Sequence, residues 1–246
     1  MPHKKNKPHA PTLRPFCSAV VPAAGLSRRM DGRDKLTAEL AGAPVLAHTL
    51  TALQRSESID ELVIVARGDE IAGIYDICVA YGIDKTAKVI RGGDTRQASV
   101  LAGVLEVSQD ARLVAVHDGA RPLVRVEDID ACVAAAAKTG AAVLAVPVKD
   151  TIKEADGRMV RQTTDRQKLW AVQTPQVFDK DILKGALTQA AAQRLELTDD
   201  SAAVELLGIP VHIVEGHDDN IKITTPVDLI VAAGLLEGQN ADWTRL

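Results

Sequence analysis

The sequence predicts an α/β fold, a mostly parallel twisted sheet with helices on both faces, and three observations carry that expectation. Apolar segments of strand length alternate with helix-length segments along nearly the whole chain. Apolar residues make up 46% of the 246 residues but aromatics only 2%. Ala, Val, Leu and Ile must therefore fill the core, as suits parallel strands buried on both faces. One stretch alone, residues 149–174, breaks the rhythm with a polar, turn-rich composition.

Taken in order, the strands are expected at Cys17–Val21, Glu61–Ala66, Lys88–Arg91, Leu113–His117, Ala141–Val148 and Val211–Glu215. Helices are expected at Pro44–Ser56, Glu70–Tyr81, Thr95–Ser108, Glu127–Lys138, Lys180–Gln193, Ser201–Leu207 and Thr225–Leu236. Residues 17–237 read as a single domain, with a disordered basic tail over 1–16 and a short tail over 238–246. No internal repeat is visible. Within 149–174, Ala155-Asp156-Gly157 sits between Thr-Ile-Lys and Met-Val-Arg and reads as a hairpin turn. A polar hairpin has nothing to give the core. It is expected to project as a β-arm, available to a partner subunit.

Charge and cysteine usage narrow the function classes. The net charge is -4. Four of the 29 Lys and Arg residues (Lys4, Lys5, Lys7 and Arg14) fall in the first sixteen residues with no acid, leaving 25 cations against 33 carboxylates. An acidic body does not suit a nucleic acid, and the shortage of aromatics removes stacking platforms for single strands. Cys17, Cys78 and Cys132 lie far apart without metal-ligand spacing and read as reduced, buried thiols of a cytoplasmic protein. His3 and His9 read as incidental. No apolar run reaches membrane-spanning length, and the N-terminal segment lacks a signal peptide's apolar stretch.

Two loops carry candidate chemistry. Val20-Val21-Pro22-Ala23-Ala24-Gly25-Leu26-Ser27-Arg28-Arg29-Met30 runs off the first strand, at the edge where parallel sheets bind ligands. Ala23, Ala24 and Gly25 let the backbone approach phosphate oxygens, and Arg28, Arg29, Arg33 and Lys35 can neutralise a triphosphate. The glycine spacing is neither a Walker loop nor a dinucleotide fingerprint. Taken alone, the segment reads equally as a surface turn with solvated arginines. Arg91-Gly92-Gly93-Asp94-Thr95-Arg96-Gln97-Ala98-Ser99 also joins a strand to a helix. Its glycines free the backbone to face a base, Asp94 or Thr95 can cap the helix, and Ser99 lies one turn in. A capped helix start would look the same.

The third segment, Leu113-Val114-Ala115-Val116-His117-Asp118-Gly119-Ala120-Arg121, ends a buried strand in charge. Asp118 is placed to ligate Mg²⁺ carried by a triphosphate, and Arg121 to hold a phosphate. An Asp118–Arg121 ion pair is the plain alternative, and a structural role is expected for His117. A phosphate monoester is already an anionic nucleophile at neutral pH. Joining it to a nucleotide's α-phosphorus needs positioning and charge neutralisation rather than a general base.

In this order the three segments resemble the 2-C-methyl-D-erythritol 4-phosphate cytidylyltransferases. The likeness continues through Val148-Lys149-Asp150-Thr151-Ile152-Lys153, Thr164-Asp165-Arg166, Leu169-Trp170, Gln173-Thr174-Pro175-Gln176, Thr198-Asp199-Asp200-Ser201 and Glu215-Gly216, ending in Asp219-Asn220-Ile221-Lys222-Ile223-Thr224. It implies a Rossmann-like nucleotidyltransferase fold, CTP as substrate, Mg²⁺ as cofactor, a small sugar-alcohol phosphate as acceptor, and a homodimer joined by the arm. By matching position, Arg29 and Lys35 would stabilise charge on the triphosphate, which Ala23, Ala24 and Gly25 would line, and Gly119 would belong to the nucleotide site. Gly93, Asp94 and Ser99 would contact cytosine, and Asp118 would hold the metal. Lys222 would bridge nucleotide and acceptor phosphate. Arg121, Thr151 and Arg166 would position methylerythritol phosphate, the last two supplied by the other subunit. The sequence departs from the family's frequent pattern with Ser27 for a glycine, Asp34 for the proline before Lys35, and Gly119 for an alanine.

A sister enzyme, ribitol 5-phosphate cytidylyltransferase, shares fold and chemistry and is the alternative. A nucleotide-linked dehydrogenase would need a glycine fingerprint that the first strand lacks. A non-catalytic nucleotide sensor would not need Arg29, Lys35, Asp118 and Lys222 together.

Overall fold

The computed structural model describes residues 14–25, 30 and 34–239. Its centre is a seven-stranded sheet built from β1 (Cys17–Pro22), β4 (Glu61–Ala66), β5 (Thr86–Arg91), β6 (Leu113–Val116), β7 (Ala141–Pro147), β10 (Trp170–Asp179) and β11 (His212–Glu215). Across the sheet the order is β11-β7-β10-β6-β1-β4-β5. Every neighbouring pair is parallel except the two made by β10. Small pieces complete the strand set: β2 (Glu39–Leu40) with β3 (Ala43–Pro44), and β8 (Lys153–Asp156) with β9 (Met159–Thr163).

The helices are α1 (Val45–Arg55), α2 (Ile71–Ala80), α3 (Arg96–Glu106), α4 (Val126–Thr139), α5 (Lys180–Ala192), α6 (Asp200–Glu205) and α7 (Pro226–Gln239). They divide between two buried cores. One holds Leu46, Leu50, Ile64, Leu113 and Ile129; the other holds Val20, Val65, Val100, Val114, Phe178 and Leu183. The split follows the pleat: Ala19 and Val21 face the first core while Val20 between them faces the second. Helix α3 approaches the sheet closely because Gly103 has no side chain. A Cβ there would sit 2.4 Å from Val20.

The expected mostly parallel α/β architecture is therefore present, with boundaries within a few residues. One strand of the central sheet was not foreseen, and neither was the short β2–β3 pair. Trp170–Asp179 runs through Gln173-Thr174-Pro175-Gln176, where a proline argues against a central strand. The chain accommodates it with an irregularity: Val172 pairs with Ala145 and Gln176 with Val143, leaving residues 173–175 to bulge. The polar side chains of Gln173, Thr174 and Gln176 are buried nonetheless. The projecting part of 149–174 therefore ends sooner than the sequence suggested, since its last residues belong to the sheet.

The hairpin itself is as expected. Strands β8 and β9 turn at Gly157, whose φ of +57° favours glycine, and every residue in them is exposed. Arg14, inside the expected tail, is fastened to the body by a bidentate pair with Asp60 at 2.7 and 2.8 Å. All three cysteines are buried and unpaired.

Candidate active site

The strand order reverses between β1 and β6: from β1 the chain builds outward through β4 and β5, then returns to β6 on the other side. Crevices at such points, beyond the carboxyl ends of the strands, are where α/β sheets bind ligands. A cavity of about 440 Å³ lies here. Its walls include Ala24, Gly25, Lys35, Gly93, Asp94, Ser99, Asp118, Gly119 and Lys222, together with Arg96 and Thr224. Nine residues singled out from sequence thus meet at one place.

Each loop is held by its own bonds. The Ala23 amide donates to the Val65 carbonyl at 2.7 Å, carrying the β1 loop along the sheet edge. Ala23 itself is buried in the core, outside the cavity wall. The Gly92 amide donates to Ala66 at 2.8 Å. A Cβ at Gly92 would fall 2.7 Å from the Ser99 hydroxyl and 3.1 Å from Ala24, so the two loops pass at a distance only glycine permits. Thr95 caps α3 through the Ala98 amide at 3.0 Å. Ser99 closes the loop, accepting from the Gly93 amide at 3.1 Å and donating to the Thr95 carbonyl at 2.9 Å. Lys35 reaches the cavity, its Nζ 3.7 Å from where a Cβ on Gly25 would stand. Asp34 fills the place of the family's frequent proline and organises the turn, accepting from the Leu36 amide at 2.9 Å. The expected sites at Arg28, Arg29 and Arg33 lie outside the described residues.

Asp118 stands at the centre of the charge. Its Oδ2 is 2.7 Å from Lys222 Nζ and 3.7 Å from Arg121 Nε, and its Oδ1 is 3.5 Å from Arg96 Nη2. Burial would raise its pKa, but Lys222, Arg96 and Arg121 outweigh burial and hold the carboxyl well below the usual range. It is an ionised carboxylate at any physiological pH.

The floor beneath it comes from the bulge in β10. Thr174 Oγ1 accepts from the Asp118 amide and contacts His117 Nδ1, both at 3.1 Å. Asn220 donates to the Gln173 side chain and the Thr174 carbonyl, both at 3.0 Å. His117 is fully buried, and burial pushes its imidazole down to about 4, so it is a neutral structural residue.

The Lys222 segment is strapped over this floor. Arg121 donates to the Asn220 carbonyl at 2.5 Å, Arg125 pairs with Asp219 at 2.6 Å, and the Ile223 amide donates to Ala120 at 2.8 Å. Arg121 therefore stands behind Asp118, with its Nε lacking a hydrogen-bond partner among the described residues. Thr151 and Arg166 are not brought to the cavity by their own chain. Both are exposed on the arm, where Arg166 donates to the Lys149 carbonyl at 2.8 Å.

Reading the sequence missed Arg96 and the partnership of Asp200. The Arg96 guanidinium lies 2.8 Å from Asp200 Oδ2. Burial raises the Asp200 carboxyl, opposed by Arg96. Asp199 caps α6, accepting from the Ala202 amide at 3.0 Å, whereas Asp200 turns inward. The only signal was an acid doublet before a helix, which capping alone explains.

The family model described as 2-C-methyl-D-erythritol 4-phosphate cytidylyltransferase matches residues 17–238. The chain belongs to that family. It is accordingly a cytidylyltransferase of isoprenoid precursor synthesis. A relative of that name from Halalkalibacterium halodurans is 47% identical over 220 residues, covering 89% of this chain and 96% of the relative. Another of that name, from Pelotomaculum thermopropionicum, is 47% identical over 226 residues, covering 90% and 94%. Among solved structures, 4-diphosphocytidyl-2C-methyl-D-erythritol synthase from Anaerococcus prevotii superposes with a TM-score of 0.82 at 34% identity, covering 91% of this chain and 96% of that one. These likenesses favour the methylerythritol enzyme over the ribitol 5-phosphate alternative, and the cytidylyltransferase fold is the expected one.

Proposed function

We propose that this cytidylyltransferase moves the cytidylyl group of CTP onto 2-C-methyl-D-erythritol 4-phosphate, releasing pyrophosphate, with Mg²⁺ at Asp118 and a second subunit completing the acceptor site. The observation that carries this is the meeting of a glycine loop, Lys35, Asp118 and Lys222 in one cavity at the sheet's switch point.

Cytosine lies against Gly93, Asp94 and Ser99, and the triphosphate follows Ala24, Gly25 and Gly119 toward Lys35. The acceptor's phosphate oxygen attacks the α-phosphorus in line. As that bond forms, the bond to the β-phosphate bridging oxygen breaks and pyrophosphate departs with the electron pair. Arg29 and Lys35 offset the charge gathering on the leaving group. Lys222, at the cavity wall, can exchange Asp118 for a phosphate and draw the two anions together.

Asp118 fits a hard divalent cation: it is ionised, and one carboxylate plus phosphate oxygens and water is how Mg²⁺ is commonly held. Among the described residues no cluster of three or more His, Cys, Asp or Glu forms a metal cage, so the substrate would supply most ligands. When bound, the cation would polarise the triphosphate and neutralise its charge.

Arg121 supports the acceptor side, and Thr151 and Arg166 would reach a neighbouring subunit's site. The arm suits such a role, since Met159 and Val160 are 75% and 60% exposed on an otherwise polar hairpin. The reading includes the cytoplasm, whose reducing conditions suit three unpaired thiols. No helix among the described residues is long and apolar enough to cross a membrane.

The test is pyrophosphate release from CTP and Mg²⁺, offering 2-C-methyl-D-erythritol 4-phosphate and ribitol 5-phosphate in parallel. Turnover with the first alone is the expected result. Turnover with ribitol 5-phosphate alone would move the acceptor assignment, and no turnover without added divalent cation is expected with either.

A further inference from the structure

One guanidinium nitrogen is shared by two carboxylates. Arg96 Nη2 lies 2.8 Å from Asp200 Oδ2 and 3.5 Å from Asp118 Oδ1. The two acids differ in access. Asp118 lines the cavity; Asp200 is 1% exposed and does not. The closer contact is therefore made to the acid that no ligand can reach.

Asp200 is fixed in that position by the fold. Its amide donates to Gln176 Oε1 at 3.2 Å and the Ser201 amide to the same oxygen at 3.0 Å. The Gln176 side chain also donates to the helix cap Asp199 at 2.9 Å. Gln176 pairs with Val116, two residues before Asp118. The start of α6 and the end of β6 are thus held by the same stretch of β10.

The two oxygens of Asp118 are engaged unequally. Oδ2 faces Lys222 and Arg121, while Oδ1 meets, among the described residues, the more distant contact with Arg96. If Asp200 lost its charge, Arg96 would lose its nearer counterion. A half-buried guanidinium still favours one, and among the described residues the other carboxylate paired with it is Asp118. Cations would then occupy both oxygens, and a metal would have to displace one.

We propose that Asp200 is a positioning residue for metal-dependent CTP binding, holding Arg96 off Asp118 so that one carboxylate oxygen stays open to the cation carried by the triphosphate. This rests on Asp118 being the metal carboxylate. Groups that orient metal ligands from behind typically change metal affinity by about ten- to a hundredfold when altered.

The experiment uses the full chain with CTP and no acceptor, so that nothing turns over. Mn²⁺ stands in for Mg²⁺ and is followed by its electron paramagnetic resonance; CTP binding without metal is followed by calorimetry. Asp200→Asn is expected to weaken Mn²⁺ in the enzyme–CTP complex about tenfold or more. Metal-free CTP should bind at least as tightly, because a negative charge has left the site. Arg96→Gln combined with Asp200→Asn should return Mn²⁺ affinity toward the wild-type value, because the competing cation is gone. Wild-type Mn²⁺ affinity in Asp200→Asn would overturn the inference. So would equal weakness in the single and double variants, which would mark a packing effect. Asp118→Asn separates the two levels. If it retains normal Mn²⁺ binding, the Asp118 reading falls and this inference with it. If it is defective beside a normal Asp200→Asn, only this inference falls.

Discussion

The cavity floor and the arm are opposites in construction. At the floor, Asp118 is held by its amide, by the close contact of Oδ2 with Lys222 and by the strap that carries that lysine. Its surroundings, His117, Thr174, Gln176 and Asn220, are all buried. On the arm, Arg166 and Thr151 are exposed, and the hairpin's polar contacts, such as Arg161–Asp156 at 2.7 Å, stay within the hairpin. A group whose position is over-determined by its own chain can be reached by mutation only through the fold. A group on an exposed arm can be changed with the fold untouched. The difference teaches that chemistry and stability should be coupled at the floor and separable on the arm.

The largest effect should come from the floor. Asp118→Asn is expected to lower kcat/KM by about a thousandfold, roughly 4 kcal/mol, measured by pyrophosphate release at saturating Mg²⁺. It should also shift the melting temperature, because Lys222, Arg96 and Arg121 lose their shared counterion. Full activity would break the comparison at its strongest point.

Next comes the acid response of the buried floor. His117 is neutral when folded and charges at about 4, against an ordinary value near 6.5. Between those pH values the unfolded chain binds the extra proton, so stability falls as pH drops from about 6.5 toward 4, by up to ~3 kcal/mol. Urea denaturation across that window reads it, and replacing His117 by Gln should flatten the slope. An unchanged slope would remove His117 as its source.

Arg166→Ala is the matching test on the arm. It should cut turnover about a hundredfold and leave the melting curve in place. Wild-type kinetics would strip the arm of its catalytic half. Sedimentation of the wild-type chain adds the other half: a fully active monomer at assay concentration would contradict a shared site.

The smallest effect should be Asp156→Ala. Its pairing with Arg161 lies on the exposed hairpin, and such pairs are worth about 0–1 kcal/mol. Thermal unfolding should barely move. A shift as large as that of Asp118→Asn would mean that the arm is tied into the core after all.

The same contrast explains what was legible. Eight of the nine cavity residues could be named because each sits in a short segment that follows a strand, and that junction has a sequence signature; Lys222, ahead of a helix, came from the resemblance alone. The buried wall was less visible. Gln173, Thr174 and Gln176 read as part of a polar, proline-interrupted stretch, since the bulge that buries them depends on the facing strand. Arg96 and Asp200 are 104 residues apart, and nothing local distinguishes their pair from a helix start and a helix cap. The acceptor roles of Thr151 and Arg166 came from resemblance alone, and the hairpin's geometry does not add to them.

The sequence by itself determined the alternation of strands and helices, the polar hairpin and the order of the three loop segments that meet at the cavity. These follow from short-range periodicity, turn chemistry and the small residues that let backbones approach. Tertiary structure decided which charges face each other: that β10 runs against its neighbours, that Lys222 is strapped onto Asp118, and that Asp200 takes the nearer share of Arg96. Pairing of buried charges is a contest between burial and partners brought from distant segments, and a linear chain does not encode those distances locally.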